Sequence, residues 1–168
     1  EAFASQKLVD FFSYVPDPMY VVIEKGILSH FTTEEDAQAR ATNWAKTRNA
    51  SQARDEKTVH DKILQGYRAF LSNTHASAIK SLEKLHAFFA DLLPFILVAI
   101  EVPEHAANQV TPETLELLFT TRKENEDVYK VGFELESALL RQIEQEKQLS
   151  SESLVYLTGE EWREFIAT

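Results

Sequence analysis

Only four glycines and five prolines are spread over the 168 residues of this chain, so its backbone has few places at which to turn sharply. Sandwiches and barrels need frequent tight turns, and α/β folds need a corner at every junction of strand and helix, so both consume these residues. Their scarcity points to long helices. With 44% hydrophobic and 11% aromatic residues the chain can bury one sizeable core, and it is too short for two comfortable domains. The expected fold is all-α: a single helical domain over residues 1–168, built as an antiparallel multi-helix bundle.

Hydrophobic spacing and capping signals divide the chain. Phe3, Leu8, Phe11, Phe12 and Val15 recur at helical intervals until Pro16-Asp17-Pro18, which predicts a short first helix over Ala2–Val15. Met19 to Ile23 is β-branched and aromatic, Glu24-Lys25-Gly26 is turn-like, and Ile27 to Phe31 is apolar again, a pattern for one short β-hairpin near residues 19–31. Thr32 and Thr33, followed three residues later by Glu35 and Asp36, open a helix over Thr33–Arg48. The apolar period of Val59, Ile63, Tyr67, Phe70 and Leu71 predicts a helix over Asp55–Ser72, and a further one begins near His75 and runs through Leu82, Leu85 and Phe89. Pro94 is expected to kink or break it. Thr111-Pro112-Glu113 supplies a capping hydroxyl, a proline at the first helical position and an acid at the positive dipole end. The helix it opens extends to about Lys147, with Gly132 and the polar run Arg122 to Asp127 as places for an interruption. Thr158 and Glu161 form a capping box for a last helix over Gly159–Ile166.

Seventeen basic against 27 acidic residues give a net charge of −10, a field that repels phosphate backbones and anionic headgroups. Neither nucleic acid nor a membrane is therefore an expected partner. The absence of cysteine excludes disulfides and thiolate chemistry and agrees with a reducing, cytoplasmic setting. The richest apolar run, Leu92 to Ile100, is about half the roughly 20 residues of a membrane span. The opening Glu1-Ala2-Phe3-Ala4 has neither a basic leader nor an initiator methionine, as expected of a domain cut from a longer polypeptide.

Candidate chemistry is sparse. Glu83 and His86 have the Glu-x-x-His spacing that sets a carboxylate and an imidazole on one helical face toward a metal, but a di-metal bundle needs that motif twice. Glu56 and His60 are the nearest approach to a second copy. The competing reading makes His86 a hydrogen-bonded core residue. Glu124, Glu126 and Asp127 read as a solvated helix face, and Glu34-Glu35-Asp36 as a first turn that complements the helix dipole; neither has the glycine-turned loop of a calcium site. His30, His75 and His105 show no triad pattern, and Gly26, Gly66, Gly132 and Gly159 lie too far apart to cradle a phosphate. No catalytic residue, metal or cofactor is assigned to this chain.

One stretch resembles a known family. Arg122-Lys123-Glu124, an amphipathic helix ending Leu139-Leu140-Arg141, and then Leu149-Ser150, Ser153-Leu154, Tyr156-Leu157-Thr158 and Glu161 look like the segment ahead of the mobile phosphohistidine domain in phosphoenolpyruvate-utilising phosphotransferases, the group of phosphoenolpyruvate synthase and rifampicin phosphotransferase. The likeness is confined to this part of the chain. The family's Gly-rich Ser-His segment is missing, and Ser29-His30 lacks the glycines and lies at the wrong end. The resemblance therefore implies a non-catalytic helical connector whose partners are the other domains of its parent polypeptide. The alternatives are a free-standing helical protein-interaction module, with Leu92 to Val102 as its apolar surface, and a bundle enclosing a small ligand.

Overall fold

The computed structural model describes residues 11–12, 20–24, 27–31, 33–73, 77–150, 153–154, 161–162 and 164–165. Within them a two-stranded antiparallel hairpin precedes four helices. Strand β1 (Tyr20–Glu24) pairs with β2 (Ile27–Phe31), with Tyr20 opposite Phe31 and Glu24 opposite Ile27. The helices are α1 (Glu34–Thr47), α2 (Ala50–Leu71), α3 (Ala78–His105) and α4 (Pro112–Glu146), and a 3-10 turn at Ala107–Gln109 joins the last two. The expected first helix, Ala2–Val15, lies largely outside the described residues, where only Phe11 and Phe12 are seen, both helical. Of Gly159–Ile166, the four described residues are helical.

Capping sets most of the boundaries. Thr33 Oγ1 accepts from the Asp36 amide to start α1, and Thr111 Oγ1 accepts from the Thr114 amide to start α4 with Pro112 behind it. Helix α2 begins five residues earlier than its apolar period predicts. Asn49 and Gln52 form a reciprocal capping box there, and the Asn-x-x-Gln spacing was readable in the sequence. Helix α4 ends in a Schellman arrangement, in which the Leu149 amide reaches the Glu144 carbonyl and Gln148 takes a left-handed φ of 56°.

Neither α3 nor α4 is broken where a break was expected. Helix α3 runs unbroken through Pro94 and Pro103 for 28 residues, because its apolar side chains are gripped on both sides of each proline. Helix α4 runs 35 residues through Arg122–Asp127 and Gly132, since Gly132 serves packing and not a turn. Unbroken, α3 is long and apolar enough to cross a membrane by length and composition, which corrects the expectation based on its central run; half of its most apolar window is buried inside the bundle.

Helices α2, α3 and α4 run up, down and up, which places the start of α2, the end of α3 and the start of α4 together. At that end Ala53, Leu97, Val98, Val102 and Leu118 form a core with Ala41, Trp44 and Ala45 of α1 and with Phe12. The alanines of α1 let its axis come close to α3. A second core, at the opposite end, joins Leu64, Tyr67 and Phe70 of α2, Leu82, Leu85 and Leu92 of α3, and Val128, Leu139 and Ile143 of α4. Trp162 and Phe165 pack against it.

The apolar run of α3 is part of these cores. Leu92, Phe95, Leu97, Val98, Ala99 and Val102 are all buried, so Leu92 to Val102 is not the exposed docking strip that the interaction-module reading requires.

Candidate functional site

Between the two cores, the buried positions of α2 and α4 turn polar. His60 of α2 is fully buried, and its Nε2 lies 3.0 Å from Oδ1 of Asn125, itself buried on α4. On the other side of the ring, Nδ1 is 3.3 Å from Asp61 Oδ1 and 3.9 Å from Glu124 Oε2. Lys57, one turn before Asp61, donates to Asp61 and, at 2.9 Å, to Glu124 Oε2. Phe95 of α3 closes the level, its ring centroid 5.5 Å from the imidazole.

Burial draws the Lys57 ammonium down, but the hydrogen bonds and charges of Asp61 and Glu124 outweigh it and hold the group above its usual range. Asp61 is the converse: burial pushes its carboxyl up, and Lys57 and then His60 hold it below the usual range. The linkage follows from these directions. Asp61 contributes stability that is present above its ordinary value of 3.8 and is lost as pH falls through its lower folded value; Lys57 contributes stability present below 10.5 and lost as pH rises beyond it. Asp61→Asn should therefore cost up to about 1 kcal/mol at pH 7, the range of a solvent-screened pair, and nothing near pH 2. Urea melts of both proteins across this interval check the convergence; a gap that persists in acid contradicts it.

His60, Asp61 and Glu124 each offer a ligand atom, all within 4.8 Å of one another, a spacing that a small cation could draw together. The Lys57 ammonium already stands between the two carboxylates and supplies the positive charge. The arrangement is an ion network that clamps α2 to α4, and a metal would have to evict the lysine.

The residues singled out in the sequence go elsewhere. Glu83 is exposed, and His86 is a surface residue, not a core one; its Nε2 pairs at 2.6 Å with Glu136 Oε1 of α4. Glu56 turns away from His60 to accept from Trp44 Nε1 at 3.0 Å and Arg48 Nε at 2.6 Å. Glu126 pairs with Arg122 one turn back, Asp127 is exposed, and His105 lies at the C-terminal end of α3. Side chains of His30 and His75 fall outside the described residues. Sequence reasoning missed the pair of Arg40 and Glu101, which meet through two hydrogen bonds in the α1–α3 interface with both residues at least nine-tenths buried. The available signal was a charge inside an apolar period: Arg40 falls on the stripe of Ala37, Ala41 and Trp44, and Glu101 beside Val98 and Val102.

None of this assembles a nucleophile. The hydroxyls of Thr47, Thr58, Ser72, Thr120, Thr121 and Ser137 each accept helical geometry and donate to the carbonyl four residues back. A partly open void of about 20 Å³ between Trp44, Lys57, Phe95 and Thr121 holds a water at most, so it accommodates no organic ligand.

The outer face of α4 is different in kind. Phe119 and Phe133 are about half exposed (55% and 49%), two heptads apart on the same side of the helix. Pro112, Leu115 and Phe119 line an open groove of about 380 Å³ flanked by Glu116 and Lys123. No protein family matches this chain, and neither does any curated protein or solved structure.

Proposed function

We propose that this chain is a non-catalytic helical connector that carries a neighbouring domain or protein on the outer face of α4. The observation that supports it most is the pair of half-exposed phenylalanines, Phe119 and Phe133, on a helix whose opposite face is locked into both cores. Rings left in water on one line, next to an apolar groove, are the surface from which an interface gains free energy. The ionisable clusters, in contrast, are occupied with one another. The resemblance from Arg122 to Glu161 suggests the setting: a phosphoenolpyruvate-utilising phosphotransferase, with the connector just ahead of the phosphohistidine domain and the first part of the resembling stretch on α4 itself.

A direct test uses the polypeptide with its natural flanking sequence. Phe119→Ser with Phe133→Ser should lower the melting temperature of the isolated chain only modestly, through the lost contacts of Phe133 with Phe89 and Tyr129, and should lower phosphoryl exchange between ATP and phosphoenolpyruvate at least tenfold in the longer protein. Flanks that encode no phosphohistidine domain would remove the phosphotransferase setting and leave a free-standing interaction module using the same face. Full activity in the double variant would remove the docking role.

A further inference from the structure

At one level of the bundle the buried positions of α2 and α4 turn polar, and α3 carries a proline. In α2 the buried residue between Ala53 of one core and Leu64 of the other is His60. In α4 the buried residues between Leu118 and Val128 are Thr121 and Asn125. In α3 the buried residues between Leu92 of one core and Leu97 of the other are Pro94 and Phe95, the latter against the imidazole, while Leu93 and Ile96 continue the apolar packing on either side. The two cores meet at a waist of polar groups and a proline.

We infer that this waist is a hinge, about which the two apolar ends of the bundle bend as separate units. Three local features weaken it. Pro94 has no amide for the Ala90 carbonyl, so α3 lacks one helical hydrogen bond at the level where it would otherwise resist bending. Thr121 Oγ1 bonds back to the Leu117 carbonyl at 2.9 Å, a contact that loosens and bends helices. Asn125 Nδ2 is buried with no hydrogen-bond partner, so the layer is incompletely satisfied. What crosses the waist from α2 to α4 is directional and partly solvated: the His60–Asn125 bond and the Lys57 ion pairs. Helix α4 is continuous through this level, so bending is spread over its turns between Leu118 and Val128. The hinge belongs to this chain whatever it is joined to, and does not depend on the connector reading.

The absence of cysteine makes the test clean, because spin labels can be placed on Lys80→Cys and Glu104→Cys, exposed positions of α3 on opposite sides of Pro94. Electron–electron distance measurements should give a broad distribution around the roughly 36 Å expected for 24 helical residues. Adding Pro94→Ala, His60→Leu and Asn125→Leu should narrow it at least twofold. Hydrogen exchange of the unsubstituted chain supplies a measurement that no folding failure can spoil: amides over 58–62, 91–97 and 121–126 should exchange at least tenfold faster than those of either core. A distribution as narrow in the parent as in the variant, or uniform protection along α2, α3 and α4, overturns the hinge.

Discussion

Gly132→Ala should lower the stability of the fold by about 2 kcal/mol, even though alanine is the better helix former by about 1 kcal/mol. A Cβ at this position would stand 2.0 Å from the Tyr67 hydroxyl and 2.8 Å from the Phe89 ring. Neither neighbour can step aside. Tyr67 is fully buried and packs on Phe88 with centroids 5.2 Å apart, and Phe89 stacks on Tyr129 at 5.0 Å while the Tyr129 hydroxyl donates to its carbonyl. Forcing a methyl into such packing costs up to about 3 kcal/mol, which exceeds the gain in propensity. Burial, with some help from Glu136, pushes the Tyr67 hydroxyl up to about 12, so it stays a protonated donor to the Val128 carbonyl at 3.4 Å. Tyr67→Phe in the same background removes the nearest clash and should restore about half of the loss, leaving the Phe89 contact. Thermal melts of the two variants decide the matter; an unchanged or raised melting temperature for Gly132→Ala contradicts the close approach of α2, α3 and α4.

The Arg40–Glu101 pair carries the second large effect. Glu101→Leu alone takes two charge-assisted hydrogen bonds from a buried guanidinium and should cost about 3 kcal/mol. Arg40→Met combined with Glu101→Leu should recover most of that loss, because an apolar pair of similar volume avoids the desolvation of both ions. Urea midpoints for the single and double variants measure it. Burial pushes the Glu101 carboxyl above its ordinary 4.5 against the pull of Arg40, so the folded chain binds this proton more tightly than the unfolded one. Its contribution to stability therefore falls as pH rises through the interval above 4.5, opposite in sign to that of Asp61. A single variant as stable as the double would show that the pair is not buried as described.

Local signals carried the fold well where they were covalently close. Thr33, Thr111 and Pro112 announced their helices because a cap acts on amides two or three residues away. The same signal at Asn49 and Gln52 was present, but reading α2 from its apolar period alone placed its start at Asp55. At Pro94 the break that the sequence allowed is absent for the opposite reason. A proline removes one hydrogen bond locally, whereas the burial that keeps α3 continuous through it comes from α1, α2 and α4 and is invisible in the run itself. The site was less legible still. His86 has a metal-like spacing, yet its partner Glu136 is 50 residues away and lies on another helix. His60 and Asn125 are separated by 65 residues and look unremarkable until α2 and α4 are side by side.

The docking claim for α4 is open to direct measurement by hydroxyl-radical footprinting of Phe119 and Phe133 in the isolated chain and in the polypeptide that carries its natural flanking sequence. Both rings should be oxidised readily in the isolated chain, as their exposure of 55% and 49% requires, and both should be protected several-fold in the longer polypeptide, while exposed Val59 on α2 is modified equally in the two. Equal oxidation of Phe119 and Phe133 in both proteins would contradict the account.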